Sequence, residues 1–143
     1  MEKSRILGPS GEKAVSAQII FLAVVGMILV LFVAKKIQTR SIRQYGPQEL
    51  AGKLRTTDPI LLLDVRSSQE RSFQHMKGSL HIPLGQLRRR THELQSHREH
   101  EIICYCQSGN RSLSAALILQ KQGYRAASLR GGIVDWNFSQ RPI

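Results

Sequence analysis

The sequence predicts an α/β domain built on a central, mostly parallel β-sheet flanked by helices and preceded by one transmembrane helix. Three observations predict it. Residues 14–34 carry no charge and include the dense run Ile19-Ile20-Phe21-Leu22-Ala23-Val24-Val25. Strand-like runs at residues 60–65, 102–105 and 125–129 alternate with helix-like segments, the pattern of a parallel sheet with crossover helices. Between the second strand and its following helix lies the polar loop Cys106-Gln107-Ser108-Gly109-Asn110-Arg111-Ser112. In open parallel sheets, ligands bind beyond the carboxyl ends of the strands.

The elements follow in order. Residues 1–13 are polar, with Gly8, Pro9 and Gly11, and read as a flexible tail. Residues 14–34 reach roughly 31 Å at about 1.5 Å per residue, which matches a hydrocarbon core of about 30 Å. Lys35-Lys36 follows at once, which disfavours cleavage as a signal peptide. Lys3, Arg5 and Lys13 precede the span, whereas Lys35, Lys36, Arg40 and Arg43 follow it. That bias predicts a single-pass protein of the plasma or bacterial inner membrane, with the C-terminal domain in the cytoplasm. Residues 35–44 read as a juxtamembrane linker and residues 45–143 as the folded domain. Gly46-Pro47 is a breaker that opens a helix through Lys53, and Thr57-Asp58-Pro59 is a turn. The apolar run at 60–65 reads as a strand covered on both faces. Residues 67–77 read as a polar loop or short helix leading to a strand at His81-Ile82-Pro83-Leu84. A helix over 85–95 turns Leu87 and Leu94 inward and its arginines outward. After the central strand comes a helix over 113–122, stopped by Gly123. A last strand at 125–129 is followed by Gly131-Gly132 and a helical turn carrying Trp136.

The formal charge is +11, from 21 Lys and Arg against 10 Asp and Glu. Apart from Arg88-Arg89-Arg90 the basic residues are scattered and not interleaved with aromatics, which argues against a nucleic-acid partner. A domain held near anionic lipid accounts for the charge better. Cys104 and Cys106 stand one residue apart, too close for an unstrained disulfide in a strand, which points to a reducing compartment. His75, His81, His92, His97 and His100 match no zinc-ligand spacing, so no metal is expected.

The loop itself carries the chemistry. Cys106 stands where a strand ends and a helix begins, and a helix start presents unpaired N–H groups and partial positive charge. A thiolate placed there is stabilised, with its pKa lowered into a range of about 3.5–7.5. Gly109 lets the loop turn, and Arg111 adds a fixed cation with planar donors. The loop from Gln107 to Ser112 is thus a cradle for an anion with nucleophilic Cys106 at its floor. The bland alternative is an inert buried thiol, but so polar a sequence after Cys106 is poorly suited to an apolar core.

These residues resemble the single-domain rhodaneses, sulfurtransferases that carry sulfur as a cysteine persulfide. Cys106 to Arg111 matches the six-residue active loop of that family. Leu61-Leu62-Leu63-Asp64-Val65-Arg66 resembles its strand ending in Asp-Val-Arg. His75-Met76-Lys77-Gly78-Ser79-Leu80-His81-Ile82-Pro83 resembles its His-x-x-Gly-Ala-x-x-Ile-Pro segment, with Ser79 in place of the usual Ala and Met76 where Ile is common. Gly131-Gly132 with Trp136 resembles its closing segment. The resemblance covers residues 42–143 and leaves the N-terminus unexplained. It implies a Cys106 persulfide formed from a sulfane donor such as thiosulfate and discharged to a thiophilic acceptor, with no cofactor. It also implies that Asp64 anchors the neighbouring loops. Arg66 either holds a carboxylate such as Glu70 or lines the pocket, and Arg71 is a weaker candidate for the same role.

Two rival readings stay open on the sequence. A phosphatase or arsenate reductase uses a Cys-to-Arg loop with five intervening residues, whereas only Gln107, Ser108, Gly109 and Asn110 intervene here. The smaller ring suits a single sulfur atom better than a tetrahedral phosphate. A membrane-tethered, non-catalytic module of the same fold is the third reading, although inactive members usually lack the cysteine.

Overall fold

The computed structural model describes residues 10–40 and 42–140, with side chains of the first helix over residues 18–34. The remainder of the expected tail and the last three residues of the expected domain lie outside the described residues. The chain divides between Ile37 and Gln38 into two units, and each is described by itself.

The first unit is helical. α1 runs Ser10–Arg40, crossing the division, so the helix takes in the end of the expected tail, the expected span and most of the expected linker. Its apolar side chains from Ile19 to Val33 are exposed. Among the described residues no helix is long and apolar enough to cross a membrane. The expected span at 14–34 is therefore not supported by the structure.

The second unit is a five-stranded sheet in the order β1-β5-β4-β2-β3. Its strands are β1 (Gln44–Tyr45), β2 (Ile60–Asp64), β3 (Leu80–His81), β4 (Glu101–Tyr105) and β5 (Ala126–Leu129), and every pair is parallel. The flanking helices are α2 (Pro47–Lys53), α3 (Ser68–Phe73), α4 (Leu84–Arg90), α5 (Asn110–Lys121) and α6 (Gly132–Ser139). Side chains of a strand alternate between faces, and that alternation divides the core in two. Leu61, Leu63, Ile102 and Cys104 face α4 and α5 with Leu87, Ala115, Ala116 and Leu119. Leu62, Ile103, Tyr105 and Leu129 face α2 and α6 with Leu50, Ile133 and Trp136. The expected parallel sheet with helices on its faces is the architecture observed.

Several local expectations are corrected. The third strand is shifted to Leu80–His81, because Pro83 cannot donate to a ladder and instead opens α4 at Leu84. The single helix expected over 85–95 is two pieces, α4 and a 3-10 helix over Thr91–His97. The Thr91 hydroxyl donates to the Leu87 carbonyl at 2.7 Å and competes for the backbone bond there. β1 lies at the end of what reads as linker, because two residues are too few to show an alternating pattern.

The register aligns Asp64 with Tyr105 and with His81. The carboxyl ends of β2, β3 and β4 therefore share one edge, from which the Cys106 loop leaves.

Candidate active site

Cys106 follows the last residue of β4, and α5 begins at Asn110. Asn110, Arg111 and Ser112 thus form the first turn of α5, three residues earlier than the pattern of apolar residues suggests. Gly109 caps that helix at φ 102°, a left-handed conformation open chiefly to glycine.

Cys106 is 1 % exposed. Its Sγ accepts a hydrogen bond from the Gly109 amide at 3.1 Å, and its thiol reaches the Ser112 hydroxyl at 3.7 Å. Burial pushes the thiol pKa up. The Ser112 amide and hydroxyl and the Gly109 and Ser108 amides outweigh that, so the net shift is downward. Ser112 is itself held in place: its Oγ donates to the Gly109 carbonyl at 2.8 Å and lies 2.8 Å from the buried Ser128 hydroxyl of β5. Cys104, two residues earlier and also a free thiol, is the contrast. It is fully buried among apolar groups, with no donor to its sulfur among the described residues, and burial pushes its pKa far up.

The loop amides face the sulfur because the loop carbonyls are held on the other side. The first turn of α6 does this: the Ile133 amide donates to the Cys106 carbonyl at 2.9 Å and the Val134 amide to the Gln107 carbonyl at 3.3 Å. In a planar trans peptide the N–H points opposite to the C=O. Fixing those carbonyls against α6 therefore turns the Gln107 and Ser108 amides away from it. So close an approach requires Gly132, at φ 62°. A Cβ there would stand 2.5 Å from both the Cys106 and Gln107 carbonyl oxygens.

The arginines are committed to carboxylates. Asp64, fully buried at the end of β2, accepts from the Arg66 amide at 3.0 Å, Arg66 Nε at 3.1 Å and Arg66 Nη2 at 2.8 Å. Burial raises the Asp64 pKa, but the Arg66 bonds prevail and its carboxyl is held below the usual aspartate range. Arg66 also donates to the Gln74 carbonyl at 2.6 Å. Arg71 approaches Asp64 at 3.5 Å and donates to Ser79 Oγ and the Ser79 carbonyl. Tyr105 closes this buried polar cluster: its hydroxyl accepts from the Met76 amide and lies 2.9 Å from Ser79 Oγ. Asp64 thus ties β2, α3 and the turn before β3 together. Arg111 donates twice to Glu70, at 2.8 and 2.5 Å. Bonds from Arg111 lower the Glu70 pKa to about 2, against a smaller opposing effect of burial.

Of the two roles open for Arg66, holding a carboxylate such as Glu70 or lining the pocket, the structure gives it a carboxylate other than Glu70 and a place in the lining of the cleft between α3 and α6. Arg66 holds Asp64, and Glu70 holds Arg111. Within the expected site, Cys106, Gly109 and Ser112 are drawn together, with the Ser108 amide. The side chains of Gln107, Ser108 and Asn110 are exposed, and no hydrogen bond joins them to the sulfur among the described residues. Glu70 escaped notice as the Arg111 partner, although Ser67 and Glu70 have capping-box spacing, which places Glu70 in the first turn of α3. Ser128 carried no signal in the sequence, because only the β4–β5 pairing brings it behind Ser112.

The profile of the Rhodanese-like domain family matches residues 46–139. A sulfurtransferase of Allochromatium vinosum is 32% identical over 103 residues, covering 71% of this chain and 94% of that protein. The thiosulfate sulfurtransferase PspE of Escherichia coli is 29% identical over 73 residues, covering 51% of this chain and 70% of its own. The crystal structure of a rhodanese-related protein from Thermoplasma volcanium superposes with a TM-score of 0.63 at 28% identity, covering 70% of this chain and 95% of the other. With the profile spanning most of the chain and the parallel sheet and cysteine loop in place, the chain belongs to the rhodanese-like domain family.

Proposed function

We propose that the protein is a sulfurtransferase that carries a sulfane sulfur as a persulfide on Cys106. The observation that carries this reading is the sulfur itself: Cys106 Sγ is held by inward-facing amides and the Ser112 hydroxyl, with its pKa lowered despite burial. In the first half-reaction the thiolate attacks the outer sulfur of a donor such as thiosulfate. The new S–S bond forms as the donor's bond breaks, and sulfite leaves with the electron pair. In the second half, a thiophilic acceptor attacks the outer sulfur of the persulfide and the Cys106 thiolate departs. Amide donors aimed at the sulfur stabilise the negative charge present in both halves, and two half-reactions through one covalent intermediate make the kinetics ping-pong. The Gln107–Ser112 loop binds the sulfur donor, while Asp64 and Arg66 hold together the elements at the carboxyl end of β2.

A phosphatase reading is less well supported. A phosphate clamp needs a free planar guanidinium, and Arg111 is already engaged twice by Glu70. The test assays thiosulfate-to-cyanide transfer and p-nitrophenyl phosphate hydrolysis side by side, with the intact mass measured after thiosulfate exposure. The expected result is sulfur transfer, a gain of one sulfur atom and no phosphate release. Phosphate release without sulfur transfer would reverse the assignment, and neither activity would favour a non-catalytic binding module.

We further propose that residues 14–34 anchor the chain in a membrane with the catalytic domain on the cytoplasmic side. The support is the run of 21 uncharged residues together with apolar side chains exposed around α1 from Ile19 to Val33, which in water would be costly. The full chain is expected to stay with membranes through alkaline carbonate extraction and to be released by detergent. Recovery in the carbonate supernatant would sink the anchor.

A further inference from the structure

Ser128 is the only polar side chain of β5, and it is fully buried. A buried hydroxyl is costly unless it is hydrogen-bonded, so its partner explains its presence. The register places it. Ser128 pairs with Cys104 across β4 and β5. Paired residues point to the same face of a sheet, and so do residues two apart along a strand. Ser128 therefore lies on the face of Cys104 and Cys106. Its amide donates to the Arg43 carbonyl at 2.9 Å and its backbone pairs with Gln44 of β1, so it is carried on a segment bonded on both sides. Among the described residues the partner of Ser128 Oγ is Ser112 Oγ, at 2.8 Å.

Counting hydrogens fixes the direction of that bond. A serine hydroxyl has one hydrogen and two acceptor sites. Ser112 gives its hydrogen to the Gly109 carbonyl, which can only accept, at 2.8 Å. The bond between the two serines therefore takes its hydrogen from Ser128. The protonated Cys106 thiol fills the second acceptor site of Ser112, at 3.7 Å. A thiolate has nothing to donate. Once Cys106 is ionised, its bond to Ser112 is kept only if Ser112 turns its hydrogen from the Gly109 carbonyl to the sulfur. That turn orphans no group. The Gly109 carbonyl keeps the Leu113 amide at 3.2 Å, and Ser112 Oγ keeps the Ser128 hydrogen. Donation into an oxygen also strengthens the bond that its own hydrogen makes, and a hydrogen bond to the charged form of an acid favours that form.

The other titratable and charged groups on the elements around Cys106 are already engaged or turned away. Arg111 of α5 is held by Glu70 of α3. Asp64 and Arg66 at the end of β2 pair with each other, and His81 of β3 bonds to the Arg66 carbonyl. Arg88 and Arg89 of α4 are exposed, and Arg90 pairs with Glu93. Asp135 of α6 lies against Gly131. Cys104 on β4 is held protonated by burial, and β5 carries no titratable side chain. A change at Ser128 leaves all of them in place.

Building on the sulfurtransferase reading, we propose that Ser128 is a positioning residue for Cys106: its donation into the Ser112 oxygen frees the Ser112 hydrogen to turn to the sulfur whenever the sulfur is negative. That charge is present on the attacking thiolate and again on the thiolate that departs from the persulfide. A serine that only held β5 to the loop would act equally at every pH.

The experiment titrates the Cys106 thiolate of the full chain in detergent by its ultraviolet absorbance, with Cys106→Ala as the blank. It also follows kcat/KM for thiosulfate-to-cyanide transfer against pH. Ser128→Ala is expected to move both titrations to higher pH. On the acid limb the thiolate fraction and kcat/KM fall about threefold to tenfold, the size set by one buried hydrogen bond, whereas the alkaline plateau changes less than about twofold. Ser128→Thr keeps the hydroxyl and stays near wild type, while Ser128→Val, of the same shape without a hydroxyl, follows Ser128→Ala. In a Ser112→Ala background, Ser128→Ala adds no further displacement, because its effect passes through Ser112. An undisplaced titration in Ser128→Ala, an equal loss at every pH, equal behaviour of the Thr and Val variants, or a further displacement without Ser112 would each overturn the proposal. A displaced titration in a chain that transfers no sulfur would support the role of Ser128 and remove the sulfurtransferase reading.

Discussion

Cys106→Ala is expected to abolish sulfur transfer while leaving the fold almost untouched. The loss should be roughly 10⁴-fold or more, because the covalent route has no second nucleophile to fall back on. Cys104 cannot substitute. It lies two residues inward along β4 on the same face, fully buried, and its thiol is held protonated by burial. The stability cost is small for a physical reason: the substitution deletes one sulfur atom from the rim of the core and leaves the amides that faced it able to bind water, for about 1 kcal/mol. Cys104→Ala is the matched control. It deletes the same atom deeper in the core, so it is expected to cost at least as much stability and to retain transfer. The pair is read by persulfide mass, thiosulfate-to-cyanide turnover and thermal unfolding of both variants. Persistent loading of the Cys106→Ala chain would place the reactive sulfur at Cys104 and overturn the assigned site.

What the sequence disclosed, and what it withheld, follows from how far apart the partners lie. The Cys106 loop was legible because its parts are neighbours in the chain: a strand, a cysteine, a glycine able to take φ 102° and a helix follow one another without interruption. The parallel sheet was legible for the same reason, since each apolar strand run and its crossover helix are local patterns. The ion pairs were not. Arg66 has two carboxylates within reach, at two and four positions along the chain, and charge alone cannot choose between them. The fold chooses: Asp64 ends β2 buried and needs a donor there, whereas Glu70, swung out on α3, meets Arg111 from the start of α5, 41 positions away. The role of Gly132 was hidden as well. A Gly-Gly pair announces a turn, but only the packing of α6 on the loop shows that the second glycine lets two carbonyls be seized and the facing amides turned toward the sulfur.

Asp64→Ala is expected to produce the largest loss of stability of any substitution near the site, about 3–5 kcal/mol, a large share of the roughly 5–15 kcal/mol that holds a domain of this size folded. Arg66 is 2 % exposed, and Asp64 satisfies its amide, Nε and Nη2. Without the carboxylate the buried guanidinium keeps, among the described residues, only the Gln74 carbonyl as a hydrogen-bond acceptor and the Tyr105 ring at 5.6 Å, neither of which carries a charge, and Arg71 loses its only nearby counter-charge there. If the cost comes from an uncompensated charge and not from a cavity, then removing the charge as well should recover most of it. The double variant Asp64→Ala, Arg66→Met is therefore expected to unfold in urea much closer to wild type than Asp64→Ala does, because a well-packed apolar pair often equals a buried ion pair. A double variant no better than the single one would show that shape, not charge, is what Asp64 supplies. Acid gives an independent check. The Asp64 carboxyl is depressed below its unfolded value, so its contribution is complete above the ordinary aspartate pKa and is lost as pH falls through the depressed one. Wild type and Asp64→Ala should differ most near neutrality and converge in acid, where the buried aspartate itself becomes protonated and releases Arg66.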